Sequence, residues 1–347
     1  MSRSRAVFIL VLAAVVVAVL ASGCSRPPAK VTSVWPVAES ERVVPQPAPV
    51  LRWPYTGLDA PDAGSIRKRP LSVKIENSPA ARPQIGLNSA DVVYETIAEG
   101  GITRFNCIFH SKVPKTLGPV RSARLSDLWI VPQYDGLFFF SGASGSVLSK
   151  VRRAELPNLS HGAVSRPYSR ASDRSAPHNL MLDTKKAYEE AAKKKHALEV
   201  DLDRLAFERR SAEATPAVNR IDIPFSQANR VRWEYDSELD RYVRWNNGAV
   251  HKDRASGQQV RATNVVVMWA KYTVASKDMV GSVTYDIRLG GEGRATIFKN
   301  GGRYDVTWKA ERNSPPRFFD ATGAPVRLAR GTTWFQVIPL DGRIDMK

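Results

Sequence analysis

The chain has 347 residues, with 51 Lys and Arg against 34 Asp and Glu, and a formal net charge of +17. Its 43% hydrophobic and 24% charged composition is globular and excludes global disorder, and its length predicts two domains. Two cysteines, Cys24 and Cys107, exclude a disulfide scaffold and a zinc site of the usual cysteine-rich kind.

The excess charge is split, +8 over residues 67–182 and +7 over residues 214–347, with no net charge in 25–66 or 183–213. No single tail carries it, so a basic arm of the nucleic-acid-binding type is not expected and no nucleic acid is predicted as a partner.

Residues 1–24 read as an address. Arg3 and Arg5 precede an apolar run from Ala6 to Ala21, the pattern of a secretory signal and short for a membrane span. The run ends in Leu20-Ala21-Ser22-Gly23-Cys24, which resembles the bacterial lipobox. That resemblance implies that Cys24 receives a diacylglyceryl group and becomes the first residue of a lipoprotein on the extracytoplasmic side of the cell membrane. Acyl chains contribute about 0.8 kcal/mol per buried methylene, enough for an anchor without a spanning helix. Residues 25–66, with Pro27, Pro28, Pro36, Pro45, Pro47, Pro49, Pro54 and Pro61, read as a tether.

Residues 67–213 are expected to form an α/β sheet domain. Leu71 to Glu76 alternates apolar and polar residues, Asp91 to Glu95 is a second strand, and Ile102 to Ser111 is the clearest of all. There Phe105, Cys107 and Phe109 point to one face and Arg104, Asn106 and His110 to the other, so Cys107 reads as a small buried hydrophobe. A helix is predicted over Ser122 to Val131, a buried strand over Gly136 to Ser141, and a helix carrying Val147, Leu148 and Val151. Leu182 to Arg210, rich in Ala, Glu and Lys, reads as a long helix closing the domain.

Several blocks between these elements are dense in Arg, Glu, Gly and Pro. They are Ile75 to Leu87, Ala90 to Glu95, Glu99-Gly-Gly-Ile-Thr-Arg104, Gly118-Pro-Val-Arg-Ser-Ala-Arg124 and Pro177-His-Asn-Leu180. In these blocks, spread over about 110 residues, the chain resembles the YerB-like bacterial lipoproteins, an uncharacterised two-domain family. The resemblance implies architecture and address more than chemistry. Read from the residues, Arg82, Gln84, Glu95, Glu99, Arg104, Arg121, Arg124, His178 and Asn179 are candidate ligand contacts, either in one mixed-charge cleft for phosphate or carboxylate or in a structural ion-pair network.

Catalytic readings are weaker. Glu95 and Glu99 as paired carboxylates for glycoside cleavage sit among arginines that lower both pKa values and spoil an acid. Ser144 follows a strand and opens a helix as a nucleophile would, with His178 and Asp127 or Asp173 as partners, but Gly142-Ala-Ser-Gly-Ser146 lacks the second glycine of a nucleophile elbow. The five histidines show no ligand spacing, and neither a metal nor a cofactor is expected.

Residues 214–347 are expected to be β-rich, about seven strands separated by Asn246-Asn-Gly248, Ser256-Gly257, Gly290-Gly291 and Asn300-Gly-Gly302. Arg232, Arg241, Arg244, Arg261 and Arg303 interleave with Trp233, Tyr242, Trp245 and Tyr304, which reads as aromatics inward and arginines outward, or as a glycan or protein surface. The fold class is α+β. The function expected is a non-catalytic binding or regulatory factor of the cell envelope whose partner is an anionic wall polymer, a lipid-linked precursor or a wall-synthesis protein; the alternative is an envelope hydrolase or transferase acting on phosphate- or glycan-containing substrates.

Overall fold

A computed structural model describes residues 50–209, 216–277 and 283–347. The segment expected to be a signal, Cys24 and most of the proline-rich stretch lie outside these residues.

Alternation of apolar side chains builds one 11-stranded sheet that draws on both halves of the chain. From edge to edge its strands run Pro325–Val326, Ser314–Phe319, Gly302–Glu311, Gly291–Lys299, Asn264–Lys277, Thr333–Pro339, Val92–Ile97, Thr103–Phe109, Leu71–Glu76 and Leu137–Phe139. Val283–Arg288 pairs with the far end of Asn264–Lys277. The halves join where Val92–Ile97 and Asn264–Lys277 each lie parallel to Thr333–Pro339. A six-stranded sheet built around Arg220–Pro224, Arg230–Asp236 and Arg241–Asn246 covers one face.

Both faces of the large sheet are buried, and side-chain parity assigns each residue to one core. Val73, Ile75, Phe105, Cys107, Val265, Val267 and Trp334 pack with Trp233 and Tyr242 of the smaller sheet. Val92, Tyr94, Ile108, Val266, Met268, Phe335 and Val337 pack on the opposite face with Tyr55, Ile130 and Tyr134. Each large side chain so buried contributes about 1.5–3 kcal/mol, so both faces hold the two halves of the chain together.

The long helix expected from Leu182 to Arg210 is much shorter, Thr184–Lys193. Lys195 takes a left-handed conformation at φ 61°, and the chain beyond it pairs with 67–69, Leu198 O accepting from Arg69 N at 2.7 Å. The helix placed over Ser122 to Val131 is Asp127–Gln133. Residues 53–58, expected to belong to a tether, are folded onto the protein. Trp53 to Leu58 close a tight loop through Gly57, and Tyr55 is buried, its hydroxyl donating to Tyr134 O at 3.0 Å. In the C-terminal half the aromatics Trp233 and Tyr242 do point inward, but so does Arg244, which is fully buried.

Candidate anion-binding site

The antiparallel register of Leu71–Glu76 with Thr103–Phe109 sets Lys74 opposite Asn106 and Glu76 opposite Arg104. These four share the face away from Phe105 and Cys107, a polar strip where the strands end. The segment 118–127 folds over this strip, Arg121 N donating to Lys74 O at 2.8 Å and Glu76 N to Pro119 O at 3.0 Å. Underneath, Lys74 Nζ and Asn106 Nδ2 donate to Asp127 Oδ1 at 2.8 and 2.9 Å, and Asp127 Oδ2 accepts from Arg124 N at 2.7 Å. Asp127 is therefore a fully buried brace that fixes where Arg121 and Arg124 emerge, not a partner of Ser144.

On that brace three guanidinium groups meet two carboxylates. Glu99, in the turn opened by Gly100 at φ 64° and Gly101 at φ 72°, pairs with Arg124 and with Arg104 Nη2, the latter at 3.2 Å. Glu76 Oε1 lies 3.3 Å from Arg121 Nε, 2.8 Å from His178 Nδ1 and 2.8 Å from Ser78 Oγ, which donates to it. Burial alone would raise the Glu99 carboxyl, but Arg104 and Arg124 outweigh it and hold it below its ordinary range. Burial and then the like charge of Arg124 push Arg104 down to about 10, so it stays charged at neutral pH.

The cluster carries one net positive charge, and its polar capacity is not used up. Glu76 Oε2 and the Nε atoms of Arg104 and Arg124 are buried without a hydrogen-bond partner. Arg121, Arg124, Glu99 and His178 are 12–28% exposed, whereas Arg104 and Glu76 lie below them. Forked donors at such a surface match the planar, multi-oxygen geometry of phosphate and carboxylate.

The remaining expected residues form a separate system on the other face. Glu95 is fully buried and accepts from Arg244 Nη2 at 3.0 and 2.8 Å, from Thr103 Oγ1 at 2.6 Å, and from Asn77 and Asn229 at 3.3 Å. Arg244 also donates to Nδ1 of His251, whose Nε2–H donates to Gln84 Oε1 at 2.7 Å. His251 is neutral in this arrangement, its pKa driven well below the ordinary histidine value by burial, Arg244 and Arg82. Arg82 is spent on Asn77, donating to its side-chain and backbone oxygens at 3.1 and 2.7 Å. Asn179 pins its own loop, accepting from Arg170 and donating to Ala171 O and Arg174 O.

The expected single constellation is thus two. Glu99, Arg104, Arg121, Arg124 and His178 converge; Arg82, Gln84 and Glu95 belong to an internal network, and Asn179 to a loop. Sequence reasoning did not name Glu76, Ser78 or His251 as site residues and read Arg244 as outward-facing or part of a glycan or protein surface; alternation marked Lys74 and Glu76 as co-facial but not as buried.

Neither serine offers a relay. Ser144 caps the helix Gly145–Arg153, accepting from Val147 N at 3.4 Å, and its other neighbour is Ser146 Oγ at 3.2 Å. Ser78 Oγ and Glu76 both approach the same ring nitrogen of His178, whereas a relay needs them on opposite nitrogens. Among the described residues no three His, Cys, Asp or Glu side chains are grouped to hold a metal ion.

Residues 55–197 match the N-terminal domain, and residues 221–335 the C-terminal domain, of a family described as protein of unknown function (DUF3048). The chain is 30% identical over 308 residues to the Bacillus subtilis (strain 168) protein named "Putative lipoprotein YerB", covering 87% of this chain and 90% of that one. It also resembles the crystal structure of YerB protein from Bacillus subtilis, with a TM-score of 0.76 and 28% identity over 85% of this chain and 99% of the other.

Proposed function

The chain belongs to the two-domain DUF3048 family, and from that premise we propose that it is a cell-envelope lipoprotein, lipidated at Cys24, that binds an anionic wall component without turning it over. The name of the Bacillus relative and the lipobox ending at Cys24 support the anchor; no helix of the described residues is long and apolar enough to cross a membrane. The observation that carries the binding role is the convergence of Arg104, Arg121 and Arg124 on Glu76, Glu99 and His178 with buried donors left over. In this reading Arg121 and Arg124 meet the ligand, and Arg104, which also donates to Ser122 O at 3.3 Å, positions Glu99. A hydrolase or transferase has less support, because Ser144 is a helix cap and Ser78 and Glu76 share one nitrogen of His178.

Retention of purified, phosphate-bearing wall polymer on immobilised full-length protein tests the reading. Arg121→Ala and Arg124→Ala each weaken retention while the melting temperature holds, and the wild type releases no product. Undiminished retention in both variants refutes the site; product released by the wild type refutes the non-catalytic role. For the anchor, a Cys24→Ala protein that still fractionates with membranes refutes lipidation.

A further inference from the structure

A groove of about 400 Å³ that shares no lining residue with the Glu99–Arg124 cluster lies where the described chain begins. Arg52, Arg204, Arg317, Arg327 and Arg330 line it. Arg52 pairs with Asp59, and Arg317 with Asp203 at 2.9 Å. The nearby Glu208 is spent on Lys299, which also donates to Arg327 O at 2.6 Å. Arg204, Arg327 and Arg330 have no side-chain partner among the described residues. Five guanidinium groups thus face two carboxylates, an excess of three positive charges in one recess.

The groove is built, not a chance scatter of arginines. Arg317 is held at two points, by Asp203 and by the backbone oxygen of Arg204, so its guanidinium orientation is fixed. Trp53 and Phe207 form apolar walls, and Phe207 lies where a Cβ on Gly57 would stand 2.6 Å from its ring. Like charges brought within a few ångströms repel by roughly 1 kcal/mol per pair even in water, so unpaired guanidinium groups sharing a recess lower the free energy of an anion that enters it. A tetrahedral anion offers several oxygens to several planar forks at once, which a single carboxylate does not.

We propose that this groove is a second anion site, taking a phosphoryl group on Arg204, Arg327 and Arg330 with Trp53 covering the adjoining apolar or sugar portion. It is independent of the Glu99–Arg124 cluster and does not rest on the function given to that cluster. The phosphoryl group can come from a soluble pyrophosphate or phosphodiester, or from an anionic phospholipid headgroup at the membrane surface.

Calorimetric titration of the full-length protein in detergent micelles, with inorganic pyrophosphate and separately with glycerophosphoglycerol, tests this. With the first cluster disabled by Arg121→Ala/Arg124→Ala, the protein still binds at least one probe, and adding Arg327→Gln/Arg330→Gln weakens that binding by about tenfold or more through lost charge-assisted hydrogen bonds. Tighter pyrophosphate binding identifies a soluble source, and tighter glycerophosphoglycerol binding a lipid headgroup. No binding of either probe in that background, or affinity unchanged on adding Arg327→Gln/Arg330→Gln, overturns the assignment. Should the double variant fail to fold, Arg204→Gln, at an exposed and unpaired side chain, carries the same expectation.

Discussion

Replacing Arg244 by Met tests whether the internal network is what joins the halves of the protein. Arg244 and Glu95 are both fully buried, one from each half, and are bound by two contacts of 2.8 and 3.0 Å. Arg244 also lies 5.3–5.8 Å over the rings of Phe105, Trp233 and Trp334. Met fills much of the same volume but removes the charge paired with the Glu95 carboxylate, which keeps hydrogen bonds from Thr103, Asn77 and Asn229 and only the unbonded charge of Arg82. Stranding one member of a buried pair costs about 3–5 kcal/mol. At about 2–4 °C per kcal/mol for a domain of this size, the melting temperature falls by about 6–20 °C. Glu95→Gln on the Arg244→Met background removes the stranded charge, so the double variant recovers at least half of the loss. Urea unfolding of wild type, both single variants and the double variant gives the coupling energy. A loss below about 1 kcal/mol in Arg244→Met, or a double variant as unstable as the sum of the singles, refutes the reasoning.

Three further outcomes are expected. Burial raises the Asp91 carboxyl to about 6 and pushes the His110 ring down to about 4. Proton binding by folded Asp91 adds stability that is lost as pH rises through about 4 to 6, whereas neutral His110 adds stability that is lost as pH falls from about 6.5 towards 4, so the two oppose each other. Asp91→Asn removes the first arm, and its stability falls relative to wild type by about 1.4 kcal/mol per pH unit between pH 6 and 4; parallel unfolding curves contradict this. Gly57→Ala destabilises by about 1–3 kcal/mol, because φ is 65° there and Phe207 occupies the space; an unchanged melting temperature argues against that packing. Ser144→Ala costs about 1 kcal/mol or less as a lost helix cap, with wall-polymer retention intact; lost retention at full stability would falsify its assignment as a cap.

Strand alternation made much of the fold legible. Phe105, Cys107 and Phe109 share a face as their spacing requires, and the β-rich texture after Asn219 is borne out by the sheets. What alternation does not encode is which strands from distant parts of the chain become neighbours. Val92–Ile97 beside Thr333–Pro339 follows from no local signal, and that pairing buries both faces of the sheet. The helix beyond Lys193 failed for a related reason: its Ala, Glu and Lys residues favour helix locally, but pairing of the following segment with 67–69 outweighs propensity.

The candidate site was legible as composition and not as arrangement. Glu95 and Glu99 look like one pair four residues apart, yet Glu95 points into the core with Phe105, and Glu99 stands in the turn beyond the strand. Arg104 and Phe105 are sequence neighbours and go to opposite faces by parity alone. Arg244 was expected outside because arginines there alternate with aromatics, but Trp245 takes the outer position and Arg244 the inner one.

The closed network and the open cluster meet at the end of one strand, and this juncture accounts for the density of polar residues in the block from Ile75 to Leu87. Gln84 Nε2 donates to Glu76 O at 2.8 Å and to Asn77 Oδ1 at 3.2 Å, while Gln84 Oε1 accepts from His251 Nε2. The backbone that aims Glu76 at Arg121 and His178 is therefore held from behind by the same chain of hydrogen bonds that ends on Arg244 and Glu95. A buried ion pair is weak evidence of added stability, because its desolvation offsets much of its attraction. Its use here is geometric: it fixes Glu76 from the closed side, so that Arg121 and Arg124 present their forks to solvent from a rigid floor.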